Sequence, residues 1–403
     1  MPDVPTMRMG KELLEALTYL PTYNDSIRQL SASERLIALN NIYNIYYPSS
    51  MAVEIYSKLY LAYIRSTQKK QSILATRQLY ENRKAIIGQQ YQGLIGGADS
   101  FTIIGKSGTG KSSSIEKAIS LICEDINASP SLIPFAVIQT PSDCSVKGLL
   151  LEILRKVDEL LKTKYYQDAI RSRATTDMLI GSVSQVCLNH IGVLILDEVQ
   201  NVVNSKNGKG LIGNMIQLIN NSGISICFVG TPECTPFFES AYQLARRCVG
   251  LYYSSLAYDD YFYRLCEVAF SYQYVQYHSA ITSNIVEWLY SHSGGITAVL
   301  IGLIHDAQEI AIIEGTEKLN IETLNKAYHQ RMRMLHGFTA DTPINIPTPT
   351  KKAMNTINMQ SSVSAVTDTY ILSLVTEAKT KSLNALEYIK SYIPIDEVII
   401  QRS

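Results

Sequence analysis

The chain has 403 residues, of which 46% are hydrophobic and 18% charged, and its formal net charge is zero. This composition is that of a folded globular protein and excludes a disordered chain. Because the net charge is zero, no whole-molecule attraction to nucleic acid or acidic membranes exists, and any basic surface must be local. The length predicts roughly two to three domains.

Cysteine usage and hydropathy predict a cytoplasmic protein that does not act in a membrane. The seven cysteines are scattered, without a C-x-x-C pair or histidines at metal-binding spacing, which is typical of reduced thiols. The N-terminus lacks the basic and apolar segments of a signal peptide. No apolar stretch reaches the ~18 residues that span a bilayer.

Residues 1–90 are predicted to form a helical extension. Helical spacing covers 11–17 and 51–65, and Ser31 and Glu34 have the spacing of a capping box. The segment 65–84 holds one acid, Glu81, and six basic residues: Arg65, Lys69, Lys70, Arg77, Arg83 and Lys84. Such a run is usually a solvated helix face, and the alternative is contact with nucleic acid or an acidic partner.

Residues 91–257 alternate between strand and helix patterns, which predicts a parallel sheet flanked by helices. Strands are predicted over 100–104, 135–139, 193–196 and 224–229. Helices are predicted over 113–122, 146–162, 174–189, 210–221 and 236–247. Strand patterns then stop, and helices over 259–276, 282–292, 296–314 and 321–335 predict a helical subdomain within 258–338. Residues 339–403 are interpreted as a linker and partner-docking tail, with a further helix near 363–390.

The segment from Gly105 to Ser112 has the G-x-x-x-x-G-K-[ST] spacing of a phosphate-binding P-loop, between a predicted strand and a predicted helix. Glycines let the backbone N–H groups turn toward phosphates, and the following helix adds the positive end of its dipole. Lys111 is expected to contact the β- and γ-phosphates, and the Ser112 hydroxyl to coordinate Mg²⁺. The residues expected to hold ATP are Gly105, Ser107, Gly108, Thr109, Gly110, Lys111, Ser112 and Ser113.

Acidic and polar residues follow two other predicted strands. Asp197 is expected to hold Mg²⁺ through water, and Glu198 to polarise the attacking water, which implies hydrolysis of ATP. Acidic residues after a strand can also be simple helix caps, but their place after a P-loop favours catalysis. Thr231 is expected to sense the γ-phosphate; the alternative is a turn before a helix that Pro232 begins.

Arg246 and Arg247 end the predicted helix 236–247. One interpretation is favourable pairing with the dipole at the C-terminus of that helix. The other is an arginine finger that reaches the γ-phosphate of a neighbouring subunit. The second interpretation predicts that the active form is a homo-oligomer.

These motifs, in this order and followed by a helical lid, resemble those of the AAA+ ATPases. The segments 104–112, 194–200, 229–232 and 245–247 look like the TnsC/TniB family of transposition regulators, and 13–17 and 293–296 are similar to it as well. The resemblance covers about 10–335. It implies that ATP-bound subunits form a ring or filament on double-stranded DNA, which a target-selector protein and a transposase recognise, and that hydrolysis limits the assembly.

One departure from the AAA+ pattern concerns the lid. Many AAA+ lids carry an arginine after a Gly-Gly turn, whereas Gly294-Gly295-Ile296-Thr297 contains none. The expected domains are a helical extension (1–90), an AAA+ core (91–257), a helical lid (258–338) and the tail (339–403).

For DNA, the resemblance points to the segment 142–147. Lys147, near a predicted helix N-terminus, could contact phosphate together with Ser145 and backbone N–H groups. Arg171 and Arg173 are second candidates, at the expected start of the next helix. The alternative for these residues is exposed, solubilising charge. If these residues contact only the phosphate backbone of DNA, binding should not depend on the DNA sequence and should weaken steeply with salt.

Two other functional classes fit the sequence. One is a nucleotide-gated scaffold, in which ATP drives assembly and hydrolysis is marginal. The other is a signalling or secretion ATPase of the same architecture that does not bind DNA.

Overall fold

A five-stranded sheet lies at the centre of the computed structural model, which describes residues 6–95, 100–126, 129–140, 145–203, 208–240 and 248–335. The strand order is β2-β3-β4-β1-β5, and all neighbours are parallel. The strands are β1 (Ser100–Gly105), β2 (Ile133–Gln139), β3 (Ile191–Asp197), β4 (Ser225–Gly230) and β5 (Cys248–Tyr253). The predicted parallel sheet is therefore confirmed.

The three interior strands are apolar along their length because helices cover both faces of the sheet. Every residue of β1 and β4 is buried, as are the first six residues of β3. Successive side chains alternate between two cores, so that Val193 and Ile195 pack on one side and Leu194 and Leu196 on the other. The edge strand β2 instead exposes Val137 and Gln139.

The helices surround this sheet and continue beyond it. In chain order they are α1 (Gly10–Leu17), α2 (Ala32–Leu39), α3 (Ser50–Lys70), α4 (Ile73–Ile86), α5 (Lys111–Asp125), α6 (Val146–Leu161), α7 (Tyr165–Arg171), α8 (Thr176–His190), α9 (Gln200–Val203), α10 (Gly208–Ser222), α11 (Thr235–Ser240), α12 (Asp260–Ser271), α13 (Ser283–Ser293), α14 (Thr297–Ile313) and α15 (Ile321–Arg331). The expected capping box of α2 is present between Ser31 and Glu34.

Strand β5 and helix α7 are not among the elements predicted from the sequence. The predicted end of the helix over 259–276 is wrong, because the helix ends at Ser271. Beyond that end, Tyr272 and Tyr274 are buried in the core that α12 to α15 share. The chain after Ser271 therefore packs into this core in a non-helical conformation. The end of the helix predicted over 236–247, and the tail 339–403, lie outside the described residues.

The N-terminal helices belong to the same cores as the rest of the fold. Helices α1 and α3 pack with α5 on one face of the sheet, and α6, α8 and α10 cover the other. Leu39 and Ile42 join the core of the C-terminal helices. The buried Arg35 makes a bidentate ion pair with Glu317, at 2.6 Å for each bond, and donates to the carbonyl of Tyr274 at 2.9 Å. The extension is therefore attached to the C-terminal helices by both apolar and ionic contacts.

Candidate nucleotide-binding site

The loop between β1 and α5 has the backbone of a phosphate cradle. Gly108 and Gly110 have φ values of +79° and +91°, which glycine adopts without the steric cost that a side chain adds. Gly110 is the N-cap of the fifteen-residue helix α5. The Thr109 hydroxyl closes the turn by donating to the carbonyl of Lys106 at 2.9 Å. The loop therefore leads directly into a helix N-terminus, which favours an anion.

Lys111 folds back on this loop. Its Nζ donates to the carbonyls of Gly105 and Lys106 at 2.7 and 2.9 Å, and the residue is 9% exposed. Burial lowers the pKa of Lys111, and the carboxylates of Asp197 and Glu198 oppose this shift. The ammonium group is thus held at the loop by carbonyl oxygens that phosphate oxygens can replace.

The structure brings the two predicted metal ligands together. The Ser112 hydroxyl lies 3.5 Å from Oδ2 of Asp197, the last residue of β3. Oδ1 of Asp197 accepts a hydrogen bond from the Glu198 N–H at 2.8 Å, which orients the carboxylate. A hydroxyl and a carboxylate are hard oxygen ligands, so the donor set fits Mg²⁺.

Glu198 and Thr231 lie at the carboxyl ends of β3 and β4. Glu198 is exposed, and its φ of +57° is unusual for a residue with a side chain. The side chain of Gln200 donates to the Glu198 carboxylate and accepts from the Thr231 N–H at 3.3 Å. Thr231 Oγ1 is buried and finds no hydrogen-bond partner among the described residues. An unpaired buried hydroxyl beside these acids is what a site for a polar ligand requires.

A cavity of about 590 Å³ connects these residues. Part of its wall was not predicted from the sequence. The segment after α2 supplies it through Tyr43, Ile45, Tyr46, Tyr47, Ser49 and Met51. Two backbone hydrogen bonds between Tyr19 and Tyr46 hold this segment, and the Tyr46 hydroxyl donates to Ser114 Oγ at 3.0 Å. Since its apolar and aromatic side chains line the cavity, this segment can receive a nucleobase.

The C-terminal helices complete the cavity through Leu256, Tyr261, Leu265, Thr297, Ala298 and Ile301. The backbone N–H of Ala298, in the first turn of α14, donates to the carbonyl of Gly108 at 3.0 Å. A Cβ on Gly108 would lie 3.0 Å from Ile296 Cγ2. The lid therefore touches the loop through the backbone of Ala298 and the side chains of Ile296 and Ala298.

The other predicted site residues lie elsewhere or outside the described residues. Arg246 and Arg247 fall outside them. Ser145 is the N-cap of α6, and its hydroxyl accepts from Gly148 N–H at 2.9 Å, while Lys147 is exposed. Arg171 ends α7 rather than starting a helix, and Arg173 lies between α7 and α8 with a φ of +50°.

The basic run 65–84 is not one solvated face. Lys70 Nζ donates to the carbonyls of Ile191 and, at 2.9 Å, Cys187, and burial lowers its pKa to about 8. Lys70 therefore binds the end of α8 instead of a partner. Lys84 pairs with Glu81 at 2.7 Å, and the exposed members of the run are Arg65, Arg77 and Arg83.

Among the described residues, the helices are all too short or too polar to cross a bilayer.

Comparison with known proteins places the site within a recognised domain. Residues 95–238 match the AAA domain family, and this range contains the loop, the acidic pair and Thr231. No curated protein matches the sequence.

Similar solved structures include three ORC proteins. The ADP form of Aeropyrum pernix ORC2 shares 14% identity, with 77% of this chain and 74% of that chain covered and a TM-score of 0.42. Aeropyrum pernix ORC1 in complex with DNA shares 11%, over 80% and 78%, with a TM-score of 0.42. Drosophila ORC bound to DNA shares 12%, over 85% and 80%, with a TM-score of 0.40.

The strand order of the sheet and the family match over residues 95–238 identify the fold. The chain has an AAA+ P-loop core, a parallel sheet flanked by helices, with a helical N-terminal extension and a C-terminal helical lid.

Proposed function

We propose that this protein binds ATP with Mg²⁺ and hydrolyses it. The observation that carries the proposal is the 3.5 Å approach of Ser112 to Asp197, beside Lys111 and Glu198. Bound Mg²⁺ would neutralise charge on the phosphates, and it would be held by the Ser112 hydroxyl directly and by Asp197 through water. Lys111 would exchange its carbonyl contacts for phosphate oxygens.

The remaining groups act on water and on the base. Glu198 accepts a proton from the attacking water, and the unpaired Thr231 hydroxyl holds that water or the γ-phosphate in place. The tyrosine-rich segment 43–51 and the lid enclose the base. We propose that Arg246 or Arg247 completes the site of a neighbouring subunit, which requires a homo-oligomer.

From the segments that resemble the TnsC/TniB family, we propose a role for this hydrolysis. ATP-bound subunits assemble on double-stranded DNA, and the assembly connects a target-selector protein to a transposase until hydrolysis removes it. Exposed Lys147, at the start of α6, is one DNA contact of this proposal, and Arg171 and Arg173 are others. These contacts involve phosphates, so affinity falls steeply with salt.

Turnover with and without duplex DNA tests the enzymatic part. Glu198→Gln should lower kcat by about 10²- to 10⁴-fold, the range for loss of a general base, while ATP binding persists. If the wild-type protein assembles with ATP but shows no turnover, the nucleotide-gated scaffold is the better description.

Filter binding across a salt series in ATP and in ADP tests the DNA part. Lys147→Ala should weaken binding and flatten the salt dependence, because one phosphate contact is lost. Lys156→Ala is the matched control on the same helix, since Lys156 already faces Glu159 at 3.4 Å. No ATP-dependent binding at any salt concentration would contradict the DNA part and leave the ATPase proposal intact.

Mixing of variant subunits tests whether Arg246 or Arg247 acts on the nucleotide of a neighbouring subunit. Arg246→Ala and Arg247→Ala should lower hydrolysis but spare nucleotide binding. If the finger acts between subunits, mixing the responsible variant with Lys111→Ala subunits restores part of the activity. Absence of rescue at every ratio contradicts an arginine supplied by a neighbour.

A further inference from the structure

Gln200 connects two groups of the proposed active site. Its Nε2 donates to the Glu198 carboxylate, and its Oε1 accepts a hydrogen bond from the Thr231 N–H at 3.3 Å. Glu198 follows β3, whereas Thr231 follows β4. One side-chain amide therefore joins the expected general base to the expected γ-phosphate sensor.

The surroundings of Gln200 hold it in place. The N–H of the preceding residue, Val199, donates to the carbonyl of Val229 at 3.0 Å, which extends the contact with β4 beyond the end of β3. A Cβ on Gly230 would lie 3.0 Å from Gln200 Oε1, so the amide packs directly on a backbone that has no side chain.

Glu198 itself has few other restraints. Its side chain is exposed, so packing does not select a rotamer. The carboxylate has more acceptor positions than the single N–H of Gln200 occupies, and the others stay available to water. The hydrogen bond can therefore orient the carboxylate without blocking it.

We infer that Gln200 is a positioning residue, which fixes the Glu198 carboxylate relative to the end of β4. The inference depends on the proposed ATP hydrolysis. A primary amide is suited to this task because it donates at one atom and accepts at the other.

Two variants separate positioning from packing. Gln200→Glu keeps an acceptor for the Thr231 N–H but replaces the donor to Glu198 with a like charge, and Gln200→Met keeps only the length. We expect kcat to fall by about 10- to 100-fold in both, which is the effect of losing one charge-assisted hydrogen bond. The KM for ATP and the affinity for ADP should change by less than about twofold, because the hydrogen bond matters in the transition state.

The matched control is Asn201→Ala, which removes a side-chain hydrogen bond from the same turn without touching Glu198. Its kcat should stay within about twofold of the wild-type value. Gln200→Met combined with Glu198→Gln should be no slower than Glu198→Gln alone, because residues that act as one unit are not additive.

Three outcomes overturn the inference. The first is an unchanged or increased kcat in both Gln200 variants, measured on samples whose melting temperatures match the wild type. The second is an equal loss in Asn201→Ala, which would mean that the turn as a whole matters. The third is a wild-type protein without turnover, which removes the proposed hydrolysis together with this inference. If the wild type is active and the Gln200 variants have the same kcat, the inference alone is removed.

Discussion

The Ser112 hydroxyl and the Asp197 carboxylate lie 3.5 Å apart although 85 residues separate them in the chain. The strand order explains this approach. Because the strands are parallel, the loop after β1 and the acidic end of β3 lie at the same edge of the sheet. Only β4 lies between these two strands, so the two segments are close together. Ligands of open parallel sheets bind at the carboxyl ends of the strands. The pair is therefore where a metal-bound triphosphate is expected.

Asp197→Asn should raise the Mg²⁺ concentration that supports half-maximal turnover. The amide keeps the shape of the carboxylate but removes its negative charge. Hard cations such as Mg²⁺ favour charged oxygen ligands. A magnesium titration of turnover at saturating ATP measures the change, and Asp177→Asn, in the first turn of α8, serves as the control. An unchanged magnesium requirement would contradict the assignment of Asp197 as a ligand.

Lys111→Ala should weaken ATP binding by at least about 100-fold. The variant removes charge-assisted hydrogen bonds to phosphate, which contribute about 1.5–3 kcal/mol each. Calorimetric titration measures the affinity. Lys117→Ala tests for a general effect of removing charge from α5, since Lys117 instead covers the ring of Tyr19 at 4.4 Å. Unchanged ATP affinity in Lys111→Ala would reject the phosphate cradle.

Thr231→Val should lower kcat and leave the fold intact or slightly more stable. The hydroxyl is buried without a partner among the described residues, so replacing it with a methyl group removes an unsatisfied polar atom that costs about 1–3 kcal/mol. Loss of its bond to water or phosphate should reduce kcat about tenfold or more. Turnover and urea unfolding measure the two effects. Destabilisation with normal kcat would indicate a structural role.

Arg35→Met should destabilise the protein by about 3–5 kcal/mol, because Glu317 is then left buried without its partner. The double variant Arg35→Met with Glu317→Gln should cost less than the sum of the single changes, since the two side chains are in contact. Urea unfolding at pH 7 measures both. Additive effects would mean that the pair is not coupled.

The same pair predicts a pH dependence. Burial raises the pKa of Glu317, but hydrogen bonds from Arg35 and the Gln276 N–H, with the charge of Arg35, outweigh burial and lower the pKa. Since the pKa in the unfolded chain is higher, about 4.3, the stabilisation is complete above that pH and is lost as the pH falls through the folded value. Unfolding free energies between about pH 6 and pH 3 should decline less steeply in Glu317→Gln.

The sequence predicts features that depend on local pattern. The loop spacing, the apolar interior strands and the acids after β3 are each contained in a short segment, and the structure confirms their arrangement on one sheet. The features it does not predict depend on distant contacts. Strand β5 contains Gly250 and gains its stability by pairing with β1, and the wall around Tyr46 becomes recognisable only when Ser114 is placed beside it. Gln200 likewise had no assigned role until Thr231 was placed at its other end.

The hydrogen bond from the Ala298 N–H to the Gly108 carbonyl places a constraint on how this protein can evolve. Every amino acid except proline carries the same donor, so the identity of residue 298 can drift while its side chain stays small. A single inserted residue in the turn at Gly294 and Gly295 would move a different N–H into place and shift Ile296 from its contact with the loop. Relatives that keep this lid attachment should therefore vary in side chains here but preserve the length of the turn.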